Sequence, residues 1–164
     1  EDIQYFLETA RFIHEAELDL HRTTFKEFGV TVKEIDNFEA APAAYNYVSH
    51  IYNAVHNGDV AEAFAAILPC PWLYQEIGQK IKHSPPNVPL YAQWIALYGS
   101  DEMRVTIEKQ KAMMNRFAAE QPEKEKVLHA HFMKSCYYEW QFWEMAWTME
   151  NWRQGVYVHE PAKN

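Results

Sequence analysis

Apolar residues recur at steps of three and four along nearly the whole chain, and nowhere do they alternate. Ile3, Phe6, Leu7, Ala10 and Ile13 hold that spacing from the first residues, and Leu128, Phe132, Ser135, Glu139, Phe142, Ala146 and Met149 mark another stripe near the end. The period is that of a helix with one face turned to a core, so an all-α domain is the expected fold class. Only 5 of the 164 residues are glycine, where average usage of about 7% would give roughly eleven, and scarce glycine favours helix in the same way.

Stop and start signals divide the pattern. A first helix is expected over Asp2 to Phe28, ended by Gly29, and Thr31 with Glu34 spells a capping box for one short turn. Pro42 sits near the start of a helix over Ala43 to His56 that Asn57 and Gly58 end. Asp59 with Glu62 opens the next, which ends near Lys82, and the prolines of His83 to Pro89 form a stiff turn. Leu90 to Tyr98 is a short helix stopped by Gly99; Ser100 caps another, and Pro122 starts a final one over Glu123 to about Trp152. The end after Gly155 reads as irregular. Residues 1–164 are expected to form one domain, and a helical stripe already running at Ile3 with no Met ahead of it reads as a chain lacking its N-terminal part.

Charge and composition exclude some functions. A net charge of -8 argues against a nucleic-acid surface, which needs clustered Lys and Arg. No apolar run approaches the roughly 18 residues of a membrane span. The two cysteines, Cys70 and Cys136, build no disulfide framework, which fits a reducing cytoplasm. Aromatic residues reach 15%, and ten of them are tyrosines whose hydroxyls need partners wherever they are buried, which points to a ring-lined pocket.

Two local anomalies carry the chemistry. In "FAAILPCPWLY", Phe64 to Tyr74, prolines 69 and 71 flank Cys70 inside a helical pattern. If the helix restarts with Pro71 at its first position, Cys70 becomes the cap residue and its sulfur meets the positive helix end, which lowers a thiol pKa that is about 8.5 when free. Equally, the prolines simply kink the helix and Cys70 is an inert core thiol. Glu139 lies on the apolar stripe of the last helix and so points inward. It either pairs with a cation, for which Arg104 and Arg116 are candidates, or stays partly protonated with a raised pKa suited to acid–base work. Phe142, one turn on, is placed to stack a flat ligand or to pack in the core. Tyr47 shares an inward face with Ala44, Ile51 and Ala54, so its hydroxyl needs a buried partner, and a thiolate would serve. Tyr74 follows Cys70 by one turn. Glu17, His21, His14, His129 and His131 with Glu139 were weighed as a helical di-metal site, but the Glu-x-x-His repeats of such sites are absent, so no metal is expected.

Taken in order, "AYNYVSHIY" (Ala44 to Tyr52), "ILPCPWLYQEIG" (Ile67 to Gly78), "WIALYG" (Trp94 to Gly99) and "SCYYEWQFWEMAW" (Ser135 to Trp147) closely resemble the TenA family of thiaminase II or aminopyrimidine aminohydrolase enzymes. The resemblance implies a haem-oxygenase-like helical bundle, a homotetramer, a cytoplasmic location, a small pyrimidine substrate and no metal or organic cofactor. It implies Cys70 as nucleophile, Glu139 as proton-donating carboxylate, Tyr47 as a tyrosine assisting the cysteine, and Tyr74, Tyr98 and Phe142 as substrate-binding rings. The implied activity is conversion of aminomethylpyrimidine to hydroxymethylpyrimidine and cleavage of thiamin. Family members also carry earlier helices that supply an aspartate and a tyrosine to the pocket, which nothing in this chain matches. Two other functions compete with this one: a non-catalytic pyrimidine-binding or regulatory protein, and a di-metal oxidase of the same fold.

Overall fold

The computed structural model describes residues 2–84 and 86–152, apart from the side chains at 12, 16 and 17. Among them there is no strand, and the all-α class holds. The end expected after Gly155 lies outside the described residues, as does the side chain of Glu17.

The N-terminal helix is interrupted where one continuous element was expected. α1 (Asp2–Phe12) passes through a π-helical turn, Ile13–Glu17, into α2 (Leu18–Glu27). Gly29 then takes a left-handed φ of 70°, Gly29 N–H donates to the Lys26 carbonyl, and Val30 N–H donates to that of Phe25 at 2.8 Å. This is the double return that glycine allows at a helix end. The Thr31–Glu34 capping box forms at the start of α3 (Val32–Asp36), with both reciprocal bonds present.

The next helices are positioned by their first turns. α4 (Pro42–Asn57) starts on Pro42 and has no side-chain cap of its own. A group distant in sequence fills the gap: Glu150 accepts from Ala43 N–H at 3.1 Å. Asp59 caps α5 (Val60–Ile67), accepting from Ala61 and Glu62 N–H while Lys124 Nζ donates to it at 2.7 Å. α6 (Pro69–Ile81) follows after Leu68 alone, whose φ of -55° and ψ of -36° are helical.

Cys70 therefore does not cap a helix, and the expected restart at Pro71 is corrected. The restart falls two residues earlier, at Pro69, with Leu68 in the cap position. The reason lies in the donors: the first N–H groups of any helix have no acceptor within it, so Pro69 and Pro71 both sit where a missing N–H costs nothing. A restart at Pro71 would have left Pro69 inside the preceding helix. Of the carbonyls around the junction, that of Ala66 accepts from Ser135 Oγ at 2.7 Å, which ties the junction to α9.

α7 (Pro89–Tyr98) and α8 (Asp101–Glu120) follow, the latter capped by Ser100, which accepts from Met103 N–H at 3.0 Å. α6 and α7 approach through glycine. A Cβ added to Gly78 would stand 2.6 Å from Gly99 N and 2.7 Å from the Tyr98 carbonyl carbon. Pro122–Lys124 is a 3-10 turn leading into α9 (Glu125–Thr148), which stops short of Trp152 because Met149 turns left-handed at φ 55°. The core gathers Ala61, Phe64, Ala65 and Leu68 of α5 with Phe117 of α8 and Leu128 of α9, and Tyr5 and Phe6 of α1 pack against it. The near-zero exposure of the α5 alanines is what lets α9 lie close along it. The apolar stripe of α9 is buried only in part: Leu128, Ser135 and Glu139 are inside, whereas Ala146 and Met149 are exposed.

Candidate active site

Four helices bring polar groups to one place. Tyr47 and His50 come from α4, Cys70 and Tyr74 from α6, Trp94 and Tyr98 from α7, and Tyr138, Glu139, Phe142 and Trp143 from α9. Tyr47 is 8% exposed, Tyr98 6% and Glu139 2%. Cys70 is half-buried and is a thiol, as is Cys136.

The electrostatics of Tyr47 locate its neighbours. Its pKa is pushed far upward, first by burial, then by the charge and hydrogen-bonding reach of the Glu139 carboxylate, then by Cys70 and Tyr74. The phenol thus stays protonated and is a hydrogen-bond donor with Glu139 and Cys70 in its surroundings. Tyr47 Oη and Glu139 Oε2 are both fully buried without a partner in direct hydrogen-bonding geometry. Such orphaned groups cost roughly 1–3 kcal/mol each and are a place to look for chemistry.

Among the described residues no cation pairs with Glu139. Arg104 pairs instead with Asp101 at 3.4 Å, and Arg116 pairs with Asp2 at 2.6 Å and Glu120 at 3.4 Å, so neither candidate partner reaches it. Cys136, one turn before Glu139, has its thiol pKa raised by burial and by that carboxylate's charge. Among the described residues no group of three or more His, Cys, Asp or Glu is arranged to hold a metal ion. Of the residues weighed for one, His131 turns to Glu62 at 3.6 Å, and His14, His21 and His129 are exposed.

Aromatic rings line one side. Tyr74 meets Tyr98, Trp94 and Trp143 edge-on, with centroids at 5.2, 5.6 and 5.9 Å. The expected pair Tyr74 and Tyr98 is therefore brought together, and through its influence on Tyr47 so is Tyr74 with the polar centre. Phe142 is half-buried one turn beyond Glu139, and among the described residues no aromatic ring packs on it. Trp94, Trp143, Tyr138 and His50 escaped the sequence reading. His50 and Tyr138 both had a signal: His50 follows Tyr47 by three residues on the same inward face, and Tyr138, three residues after Ser135 and four before Phe142, lies at the edge of the α9 stripe. Two surface clefts lie elsewhere. One of about 190 Å³ is lined by Ala65, Met114, Leu128, His129 and Phe132 among others, and one of about 110 Å³ by Ala43, Trp140 and Glu144 among others. Neither is lined by Tyr47, Cys70 or Glu139, so the donor set and not cleft size singles out the site.

Comparison with known proteins shows the family and the fold. Over 144 residues the chain is 40% identical to the aminopyrimidine aminohydrolase of Bacillus subtilis strain 168, covering 87% of this chain and 61% of that protein. It is 33% identical to the enzyme of the same name from Halalkalibacterium halodurans, covering 92% of this chain and 70% of the other. The chain thus spans about 61% of the length of the Bacillus relative. Among solved structures, the TenA homologue of P. horikoshii superposes with a TM-score of 0.76 at 23% identity, over 88% of this chain and 68% of that one. A Silicibacter protein described as a TenA family transcription regulator gives 0.75 at 23% identity, over 87% and 66%. Both share the helical fold. A model of the TENA/THI-4/PQQC family matches residues 1–149, nearly all of the chain on which the four helices of the site are built, and the chain belongs to that family.

Proposed function

We propose that the chain carries the active centre of an aminopyrimidine aminohydrolase, a hydrolase of thiamin metabolism that converts aminomethylpyrimidine to hydroxymethylpyrimidine and cleaves thiamin into pyrimidine and thiazole. The observation that carries this reading is a buried carboxyl, Glu139, without a counter-ion among the described residues, facing the Tyr47 phenol in a centre that also contains the Cys70 thiol. Relatives named for this activity support it.

The proposed mechanism follows from those groups. The Cys70 thiol passes its proton to the Glu139 carboxylate, and the thiolate so formed adds to a carbon of the electron-poor pyrimidine ring, forming a C–S bond and placing negative charge on a ring nitrogen. Glu139 gives that nitrogen its proton. Tyr47, held protonated, donates a hydrogen bond to the sulfur before attack or to the Glu139 carboxylate afterwards. The dearomatised adduct expels ammonia or thiazole from the exocyclic carbon, water adds there, and loss of the thiolate restores the ring. One difficult displacement becomes two easier ones. Tyr74, Tyr98 and Phe142 are proposed to hold the pyrimidine between rings.

The proposal includes a small-molecule substrate, no metal or organic cofactor, one domain over residues 1–164, a cytoplasmic homotetramer and no nucleic-acid partner, the last supported by the net charge of -8. No helix among the described residues is long and apolar enough to cross a membrane. The test is release of hydroxymethylpyrimidine from aminomethylpyrimidine by the intact protein. Cys70→Ala is expected to lower kcat about a thousandfold or more, and Cys136→Ala by less than about threefold. Equal activity in the two variants would sink the assignment, and ligand binding without turnover in the wild type would point to a binding protein instead.

A further inference from the structure

Behind Tyr47 stands a column of rings that the proposed mechanism does not use. Tyr47 stacks on Tyr138 with centroids at 5.6 Å and planes 20° apart, Tyr138 meets His50 at 5.5 Å and 40°, and His50 stacks on His131 at 5.4 Å and 30°. The column alternates between helices, with Tyr47 and His50 from α4 and Tyr138 and His131 from α9. Its far end is anchored, since His131 Nε2 lies 3.6 Å from Glu62, which itself accepts from Lys124 Nζ at 2.9 Å.

His50 is the costly member of this column. It is 7% exposed, and its Nε2 is fully buried without a hydrogen-bond partner, as is Nδ1 of His131. An apolar residue would fill the volume without leaving an acceptor unpaired. What an aliphatic side chain cannot supply is a flat face for Tyr138 to lie against.

We infer that His50 is a positioning residue for the catalytic centre: acting through the ring of Tyr138, it holds the Tyr47 phenol turned towards Glu139 and Cys70. The geometric half of this stands by itself, while its consequence for turnover rests on the hydrolase reading above. Burial depresses the His50 pKa, and the charges of His131 and Lys134 push it the same way against a hydrogen bond to the His131 backbone. The groups facing His50 are accordingly Tyr47 on its own helix and His131, Lys134 and Tyr138 on α9, with Glu62 of α5 behind His131. A proton on His50 would place a charge in the column beside His131, so the column is intact while His50 is neutral and loosens in acid.

The experiment compares His50→Phe, which keeps a flat ring, with His50→Leu, which keeps apolar volume only. In the intact protein, His50→Leu is expected to move the Tyr47 ring resonances in NMR spectra and to lower kcat about tenfold or more, with KM changed less than about twofold. His50→Phe is expected to keep the Tyr47 resonances and kcat near wild type, and to lose the acid-side fall in kcat below about pH 6.5. A His50→Leu protein with wild-type resonances and kcat overturns the assignment, as does a His50→Phe protein that loses as much as His50→Leu. Should His50→Leu fail to fold, His50→Phe decides alone, because an acid limb unchanged from wild type overturns it. If the wild type does not turn over aminomethylpyrimidine, the hydrolase reading fails while the Tyr47 resonances still settle the positioning role.

Discussion

The two halves of α9 solve the same burial problem in opposite ways. In the first half, Leu128 and Phe132 join the core, and the one polar group on the stripe, Ser135, is 0% exposed with its hydroxyl bonded to the Ala66 carbonyl at 2.7 Å. One turn further, Glu139 is 2% exposed with Oε2 unpartnered and no cation among the described residues paired with it, and Tyr47 opposite it is orphaned too. Ser135 and Glu139 are equally buried, so exposure does not separate structure from function here. Satisfaction does: a paired buried group holds the fold, and an unpaired one is a cost that only a use explains.

The largest expected effect tests that contrast directly. Glu139→Gln keeps the shape and removes the proton donor, so kcat should fall about 10²- to 10⁴-fold while thermal stability stays level or rises, since an uncompensated carboxylate is gone from the interior. Loss of stability comparable to the loss of activity would show Glu139 to be a structural group. Gly78→Ala should act on the fold alone. Its methyl would stand 2.6 Å from Gly99 N, and prising α6 from α7 costs about 1–3 kcal/mol in a denaturant melt.

Ser135→Ala is the counterpart to Glu139→Gln. It strands the Ala66 carbonyl and should cost about 1–2 kcal/mol with kcat within a few-fold of wild type. Acid should reveal His50. Its folded pKa lies below the unfolded value of about 6.5, so the unfolded chain takes up the proton first; stability is whole above that pH and declines as pH falls below it towards the folded pKa. His50→Phe should flatten that decline in melts taken across the range. The smallest effect is expected at the exposed end of α9. Met149→Gly relieves a left-handed φ of 55° and should stabilise by about 1 kcal/mol or less, seen as a rise of a few degrees in Tm.

Much of this was legible along the chain because its signals are local. Gly29, Thr31 with Glu34, Asp59 and Ser100 each start or stop a helix through bonds made within a few residues, and Pro42 starts one through its own fixed φ. Glu139 was readable as inward because its place on a stripe of period near 3.6 depends on its own helix only. The restart at Pro69 was misread because the proline rule tells which N–H groups are missing but leaves two registers for the new helix. Placing both prolines in one first turn, where neither missing N–H is needed, decides between them.

By itself, then, the order of residues determined the all-α class, most helix ends, and the inward facing of Tyr47 and Glu139, since backbone capping and side-chain period act over one or two turns. Only the tertiary structure decided that Arg104 and Arg116 pair elsewhere, that Glu150 caps a helix 107 residues away, and that His50 and Tyr138 stand behind Tyr47. Those outcomes depend on which faces meet when α4, α5, α6 and α9 pack. Helix periodicity states which residues share a face and leaves open which face of another helix it will find.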